Sequence, residues 1–118
     1  MGKSMAVRFA ELGANLVLTS RRQDVLDETS AEIKEATGAK ILTVVADIRS
    51  PEQVTDMVAQ SVSRFKKIDG LLNNAAGNFI SPTEKLSENA FKTIVDIVLL
   101  GSFNCTLNAG REMIKSGG

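Results

Sequence analysis

The residues of this chain that could do chemistry stand at the ends of its short apolar runs. Arg21 and Arg22 follow Leu16-Val17-Leu18-Thr19, and Asp47 closes the run from Ile41 to Ala46. Asn73-Asn74-Ala75-Ala76-Gly77 closes a third run that begins at Leu71. A guanidinium can hold a phosphate, while a carboxylate and paired amides can orient a polar ligand. Gly2 opens a helical pattern, where a glycine lets backbone N–H groups approach an anion closely. Each group also has a plainer reading: loop arginines in solvent, Asp47 leading into the next helix, amides satisfying their own turn. Asn78-Phe79-Ile80-Ser81-Pro82 mixes an amide with apolar side chains in a long loop, a composition common in binding loops.

What is missing narrows the chemistry further. The chain has no His, Tyr or Trp and a single cysteine, Cys105. His-based triads, His-ligated metals, a tyrosine acid and a thiolate zinc site are thereby excluded from these residues, so no metal site is expected. A lone cysteine makes no internal disulfide, which fits a reducing compartment, and Cys105 on an apolar helix face reads as inert core.

The elements that must position these groups alternate regularly. Lys3 to Leu12 reads as a short helix, with Met5, Phe9 and Leu12 at helical spacing and Gly13 as its stop. Leu16 to Thr19 reads as a buried parallel strand. A polar helix from about Asp24 to Ala36 turns Leu26 and Ile33 inward and ends at Gly38. Ile41 to Ala46 is a β-branched strand. Ser50-Pro51-Glu52-Gln53 then supplies a capping Ser, a Pro at the first helical position and a Gln three residues on. Val54, Met57, Val58, Ser61, Val62 and Phe65 mark one face of that helix, which runs to about Lys66. Leu71 to Asn74 reads as a third strand, and Ser87 caps a long helix. That helix carries Phe91, Ile94, Val95, Val98 and Cys105 on one side and Ile97, Leu99 and Leu100 on others. Its all-round apolar character implies burial on two faces, against a sheet and against a partner subunit.

Strand–helix alternation of this kind specifies an α/β fold with a doubly wound parallel sheet. The carboxyl ends of such strands are where ligands bind, and the end of the first strand here meets a dinucleotide's adenosine ribose. An acid there would read a 2′-hydroxyl; an Arg accommodates a 2′-phosphate. No acid precedes Asp24, so NADP is the expected cofactor, with Arg21 as its phosphate ligand. The chain nevertheless opens on a helix and closes on one. In the strand order 3-2-1-4-5-6 the absent first strand would separate the strand at Leu16 from that at Leu71. An incomplete domain covering 1–118 is therefore expected. Its length of 118 residues suits one small domain, and 43% hydrophobic residues argue against wholesale disorder. Fourteen Lys and Arg balance fourteen Asp and Glu, so no charge excess points to nucleic acid. No uninterrupted apolar run is long enough to span a membrane.

Gly2-Lys3-Ser4-Met5-Ala6, Asp47 and Asn73-Asn74-Ala75 together resemble the short-chain dehydrogenase/reductase family, over almost the whole chain. The run Asn73-Asn74-Ala75-Ala76-Gly77-Asn78-Phe79-Ile80-Ser81-Pro82-Thr83-Glu84-Lys85-Leu86-Ser87 is similar to the 2,4-dienoyl-CoA reductases within it. The resemblance implies a partial Rossmann sheet that lacks its first strand and the catalytic C-terminal portion. It implies NADPH-dependent reduction of a 2,4-dienoyl-CoA to a 3-enoyl-CoA in unsaturated fatty acyl oxidation, through a dienolate whose thioester oxygen needs hydrogen-bond donors. By position, Asn78 would be the catalytic amide. Gly2, Arg21, Asp47, Ile48 and Asn74 would bind the cofactor, and Arg21, Arg49, Phe79 and Ser87 would meet the acyl-CoA. The family's helix asparagine, three residues before a Gly, is Val98 here, as in the dienoyl reductases, which also lack it.

The same resemblance implies a homo-oligomer, a tetramer, and an intracellular site: mitochondrial or peroxisomal in a eukaryote, cytoplasmic in a bacterium. Because the catalytic Ser, Tyr and Lys of the family would lie beyond Gly118, the isolated chain is expected to be inactive. Two other readings stand beside this one. The parent could be another short-chain reductase, such as a 3-oxoacyl reductase, or the chain could be a non-catalytic product that binds a full-length subunit. A targeting peptide over Met1 to Leu12 fits less well, because Glu11 lies within it.

Overall fold

A computed structural model describes residues 1–75 and 81–117. Among the described residues nine elements follow one another, starting with helix α1 (Gly2–Glu11), strand β1 (Leu16–Ser20) and helix α2 (Gln23–Thr37). Strand β2 (Ile41–Val45) and helix α3 (Pro51–Phe65) come next, then a 3-10 turn at Thr83–Lys85. A single long helix closes the chain as α4 (Glu88–Val95), a wide π segment (Asp96–Gly101) and α5 (Ser102–Lys115).

β1 and β2 pair in parallel, with Leu16 opposite Ile41 and Ser20 opposite Val45. Alternation along β2 then sends Ile41 to one face and Val44 to the other. Ile41 joins Ala6, Ala10 and Ile33 in a core beneath α1 and α2. Val44 joins Val54, Met57, Val58, Cys105 and Ala109 beneath α3 and α5. Helices therefore cover both faces, as the alternating pattern requires. Gly38 ends α2 in the left-handed region at φ 71, a conformation that glycine adopts without a Cβ penalty.

Two expectations need correction. α1 packs through Ala6 and Ala10, not through the Met5, Phe9 and Leu12 stripe; Phe9 and Leu12 are exposed. Small residues let the helix lie close to α2, to which Lys3 adds an ion pair with Glu32. Leu71 to Asn74 forms no strand, because the sheet has two strands and neither adjoins that segment. The N–H and C=O groups of Val17 and Thr19 point away from β2, since the pairing engages Leu16 and Ser20 on the other side. The segment at Leu71 does not pair with them, and Leu72 stays 52% exposed. In the single chain Cys105 and Ala109 cover one face of the long helix, and Phe91, Leu99 and Phe103 are 58–64% exposed.

Glu88–Lys115 is by length and composition able to cross a membrane. Its polar side chains tie it to this fold instead. Asn104 donates to the Ile48 carbonyl at 2.9 Å, and Asn73 reaches Thr106 at 3.0 Å. Ile33 is the completely buried side chain that joins α2 to the sheet. Truncating it should cost about 2–5 kcal/mol, much of a small domain's stability. Ile33→Ala should therefore lose cooperative urea unfolding or shift its midpoint far down; a midpoint unchanged from the parent would refute this packing.

Candidate functional site

Parallel strands end at the same edge, so β1 and β2 deliver Arg21 and Asp47 side by side. Between that edge and the Leu71–Ala75 segment lies a cleft of ≈ 1090 Å³. Gly2, Arg21, Asp47, Ile48 and Asn74 all line it. The five residues marked as cofactor ligands thus converge on one cavity, although they come from four places in the chain.

Each group arrives by a local cause. The N-terminus of α1 has no side-chain cap and no acid in its first turn, so its N–H groups and positive dipole end are uncompensated. A Cβ on Gly2 would stand 2.6 Å from Asn74 Nδ2, so the glycine is what lets that amide lie against the helix start. At the end of β1 the two arginines part company. Arg22 pairs with Asp24 at 2.8 Å, which holds the Asp24 carboxyl below its usual range. Arg21 is exposed and has no carboxylate in salt-bridge contact among the described residues. Sequence reading did not separate the two.

Asp47 sits in a tightly bonded turn. Arg49 reaches both its oxygens, Nη2 to Oδ2 at 2.6 Å and Nε to Oδ1 at 3.0 Å, and the Arg49 N–H donates to Oδ1 at 3.0 Å. These hydrogen bonds, with the nearby charges of Arg49 and Arg21, hold the Asp47 carboxyl below its ordinary range against partial burial. The Asp47 N–H donates to Gln53 Oε1 at 2.7 Å. Only half of the expected capping box therefore forms: Ser50 Oγ accepts from the Gln53 N–H, but the Gln53 side chain serves Asp47. Asn104 holds the next peptide through the Ile48 carbonyl. Neither Gln53 nor Asn104 was marked from sequence. An amide pair at Asn104 and Asn108, one turn apart on an apolar helix, was the signal available.

Other marked residues lie elsewhere. Arg49 reaches the site only through Asp47, with Nη1 free of hydrogen bonds among the described residues. Ser87 accepts from the Ala90 N–H at 3.0 Å as the cap of α4 and is not among the described residues of the cleft wall. Asn73 is a tether to Thr106. Asn78 and Phe79 lie outside the described residues. Cys105 is buried, and burial raises its thiol pKa, in line with an inert core role.

A profile of the short chain dehydrogenase family matches residues 1–118. The chain is 43% identical over 114 residues to a probable 2,4-dienoyl-CoA reductase, (2E)-enoyl-CoA-producing, of Bacillus subtilis, covering 97% of this chain and 44% of that protein. The crystal structure of a short chain dehydrogenase from Bacillus anthracis is 44% identical with a TM-score of 0.92, covering 98% of this chain and 48% of that one. L-Sorbose reductase from Gluconobacter frateurii, complexed with NADPH and L-sorbose, is 27% identical with a TM-score of 0.91, over 99% of this chain and 44% of that one. The chain therefore spans less than half the length of each.

The depressed Asp47 carboxyl carries a sign. A group whose pKa is lower folded than unfolded adds stability above its unfolded value, about 3.9, and loses it as pH falls through the folded value. Partly exposed pairs contribute about 0–1 kcal/mol. Asp47→Asn should melt slightly below the parent at pH 7, and the gap should close below the ordinary carboxylate range. A gap that persists at low pH would show that the pair is not its source.

Proposed function

This chain belongs to the short-chain dehydrogenase family, and from that membership we propose that it forms the adenosine-binding part of an NADPH-dependent 2,4-dienoyl-CoA reductase. The observation that carries the cofactor choice is Arg21. It stands exposed at the carboxyl end of β1, without a carboxylate partner among the described residues, while its neighbour Arg22 is engaged by Asp24. The substrate class rests on 43% identity with a relative named for it. The resemblance implies a 3-enoyl product and that relative's name a (2E)-enoyl product, so the reading extends to the dienoyl-CoA and not to the remaining double bond.

The residues present fit a phosphorylated dinucleotide. The uncapped α1 N-terminus offers N–H groups to a pyrophosphate, and Gly2 keeps the approach open against Asn74. Arg21 takes the 2′-phosphate, where a charge-assisted hydrogen bond is worth about 1.5–3 kcal/mol. Asp47 and Ile48 face the adenine end, with Arg49 holding the Asp47 carboxylate in one orientation. Arg49 keeps Nη1 for an anionic group of the acyl-CoA, and Phe79 and Ser87 complete the substrate side. Bound NADPH supplies the hydride, and Asn78 donates a hydrogen bond to the thioester oxygen. With no Tyr or His in its sequence the 118-residue chain has neither of those proton donors, and we propose that it does not turn over alone. The parent works as a homo-oligomer, a tetramer, in contact through the exposed apolar face of the long helix.

Adenosine binding is testable on the chain as it stands. 2′,5′-ADP should bind about ten- to a hundredfold tighter than 5′-ADP, the fold-change of one charge-assisted hydrogen bond. Arg21→Asp should abolish that preference in calorimetry. A preference that survives the substitution would remove Arg21 from the 2′-phosphate site; equal binding of both nucleotides by the parent would remove NADP.

A further inference from the structure

We propose that Asn104, which holds the Asp47–Arg49 turn through the Ile48 carbonyl, is a positioning residue for the adenosine end, an inference that rests on the NADP reading above. Its Nδ2 donates to the Ile48 carbonyl at 2.9 Å across 56 residues of chain. That bond completes a set. The Asp47 N–H is held by Gln53, the Ile48 carbonyl by Asn104, the Arg49 N–H by the Asp47 carboxylate, and the Ser50 N–H by the Asp47 carbonyl at 3.0 Å. Gln53 and Asn104 hold the turn from outside and Asp47 makes the other two bonds within it, so the two cleft-lining residues, Asp47 and Ile48, present one arrangement to a ligand.

A second contact from the same helix face holds the Ile48 side chain. Gly101 is one turn before Asn104, at the end of the π segment, and is buried. A Cβ there would stand 2.6 Å from Ile48 Cδ1 and 2.7 Å from Cγ1. The helix therefore clamps Ile48 twice, by an amide on its carbonyl and by bare backbone against its side chain. Wide turns of this kind gather at functional sites. Asn108, one turn further on, does something different: it donates to the Asn104 carbonyl at 2.9 Å and accepts from Thr55 at 3.3 Å. It ties α5 to α3 and touches no part of the turn, which makes it the control for general destabilisation.

The geometry gives Asn104 no access to the ligand. It is absent from the described residues of the cleft wall and acts through Ile48. Loss of its donor leaves the Ile48–Arg49 peptide held by its N–H alone, so part of the binding free energy goes into ordering the turn.

The test is 2′,5′-ADP titration of the 118-residue chain by calorimetry, with thermal midpoints recorded for every variant. Asn104→Leu keeps much of the shape and removes the donor without adding a charge; Asn104→Ala serves if the leucine variant does not fold. Either should weaken 2′,5′-ADP about fivefold, the fold-change of one neutral hydrogen bond. Asn108→Ala should lower the melting midpoint and leave the affinity within twofold. Equal affinity in the Asn104 variants and the parent overturns the proposal. So does an equal loss in Asn108→Ala, which would make the effect one of stability. Absence of 2′,5′-ADP binding by the parent chain would instead overturn the NADP reading, and this inference with it.

Discussion

The parallel register of β1 on β2 decides where the polar groups of this chain can meet. Leu16 opposite Ile41 and Ser20 opposite Val45 bring both strands to a common edge, so the residues that follow each strand leave it together. A slip of one residue would reverse the faces of Ile41 and Val44 and expose both cores. α2 must return antiparallel to the strands to make that pairing, and Leu26, Ser30 and Ile33 bury its inner face as it does so. The register is therefore held by the packing of α2 on the strands, and the cleft inherits its geometry from it.

Charge pairing then sorts the arginines at that edge. Arg22 answers Asp24, and Arg49 answers Asp47, which leaves Arg21 beside the cleft without such a partner among the described residues. Exposed pairs of this kind stabilise a fold by no more than about 1 kcal/mol. Their larger effect here is selective: one engages Arg22, the other leaves Arg49 only Nη1, and each fixes the direction of one carboxylate. The α1 N-terminus adds roughly half a positive charge with no acid in its first turn to offset it. The edge is left with a net invitation to an anion although the whole chain is neutral.

Much of this was legible in the sequence, because it follows from spacing. Ser50-Pro51 announced α3, Gly38 stopped α2, and the apolar runs at Leu16 and Ile41 became the two strands. The burial of Leu26, Ile33, Val54, Met57 and Val58 followed from helical period alone. The errors share another cause. Leu71 to Asn74 has strand composition, yet a strand exists only where a neighbour takes its main-chain bonds, and composition carries no information about neighbours. Met5, Phe9 and Leu12 gave the larger apolar stripe on α1, but close approach to α2 favours the small side chains of Ala6 and Ala10. In the site, residue types at strand ends were readable. Which arginine is engaged, and that Gln53 turns to Asp47 and Asn104 to Ile48, depend on distances that no spacing rule encodes.

The two walls of the cleft differ in how firmly they are held, and that difference bears on how a ligand would meet them. The wall at Asp47 and Ile48 packs Ile48 against the core beneath α3 and α5 and is held by several hydrogen bonds. The opposite wall, Leu71 to Ala75, has no sheet partner; a single exposed side-chain bond from Asn73 to Thr106 and an Asn74 N–H bond to the Leu72 carbonyl hold it. Few buried contacts and exposed hydrogen bonds are what permit local opening at low free energy. A ligand group at the first wall meets donors and acceptors already in place and gives up little to ordering, whereas one at the second must also order the chain it touches. On the NADP reading proposed above, affinity should then concentrate at the adenosine end, where a phosphate would find Arg21 and a fixed turn. The Asn74 side of the cleft, against the start of α1, is where bound ligand would add order that this chain does not supply alone.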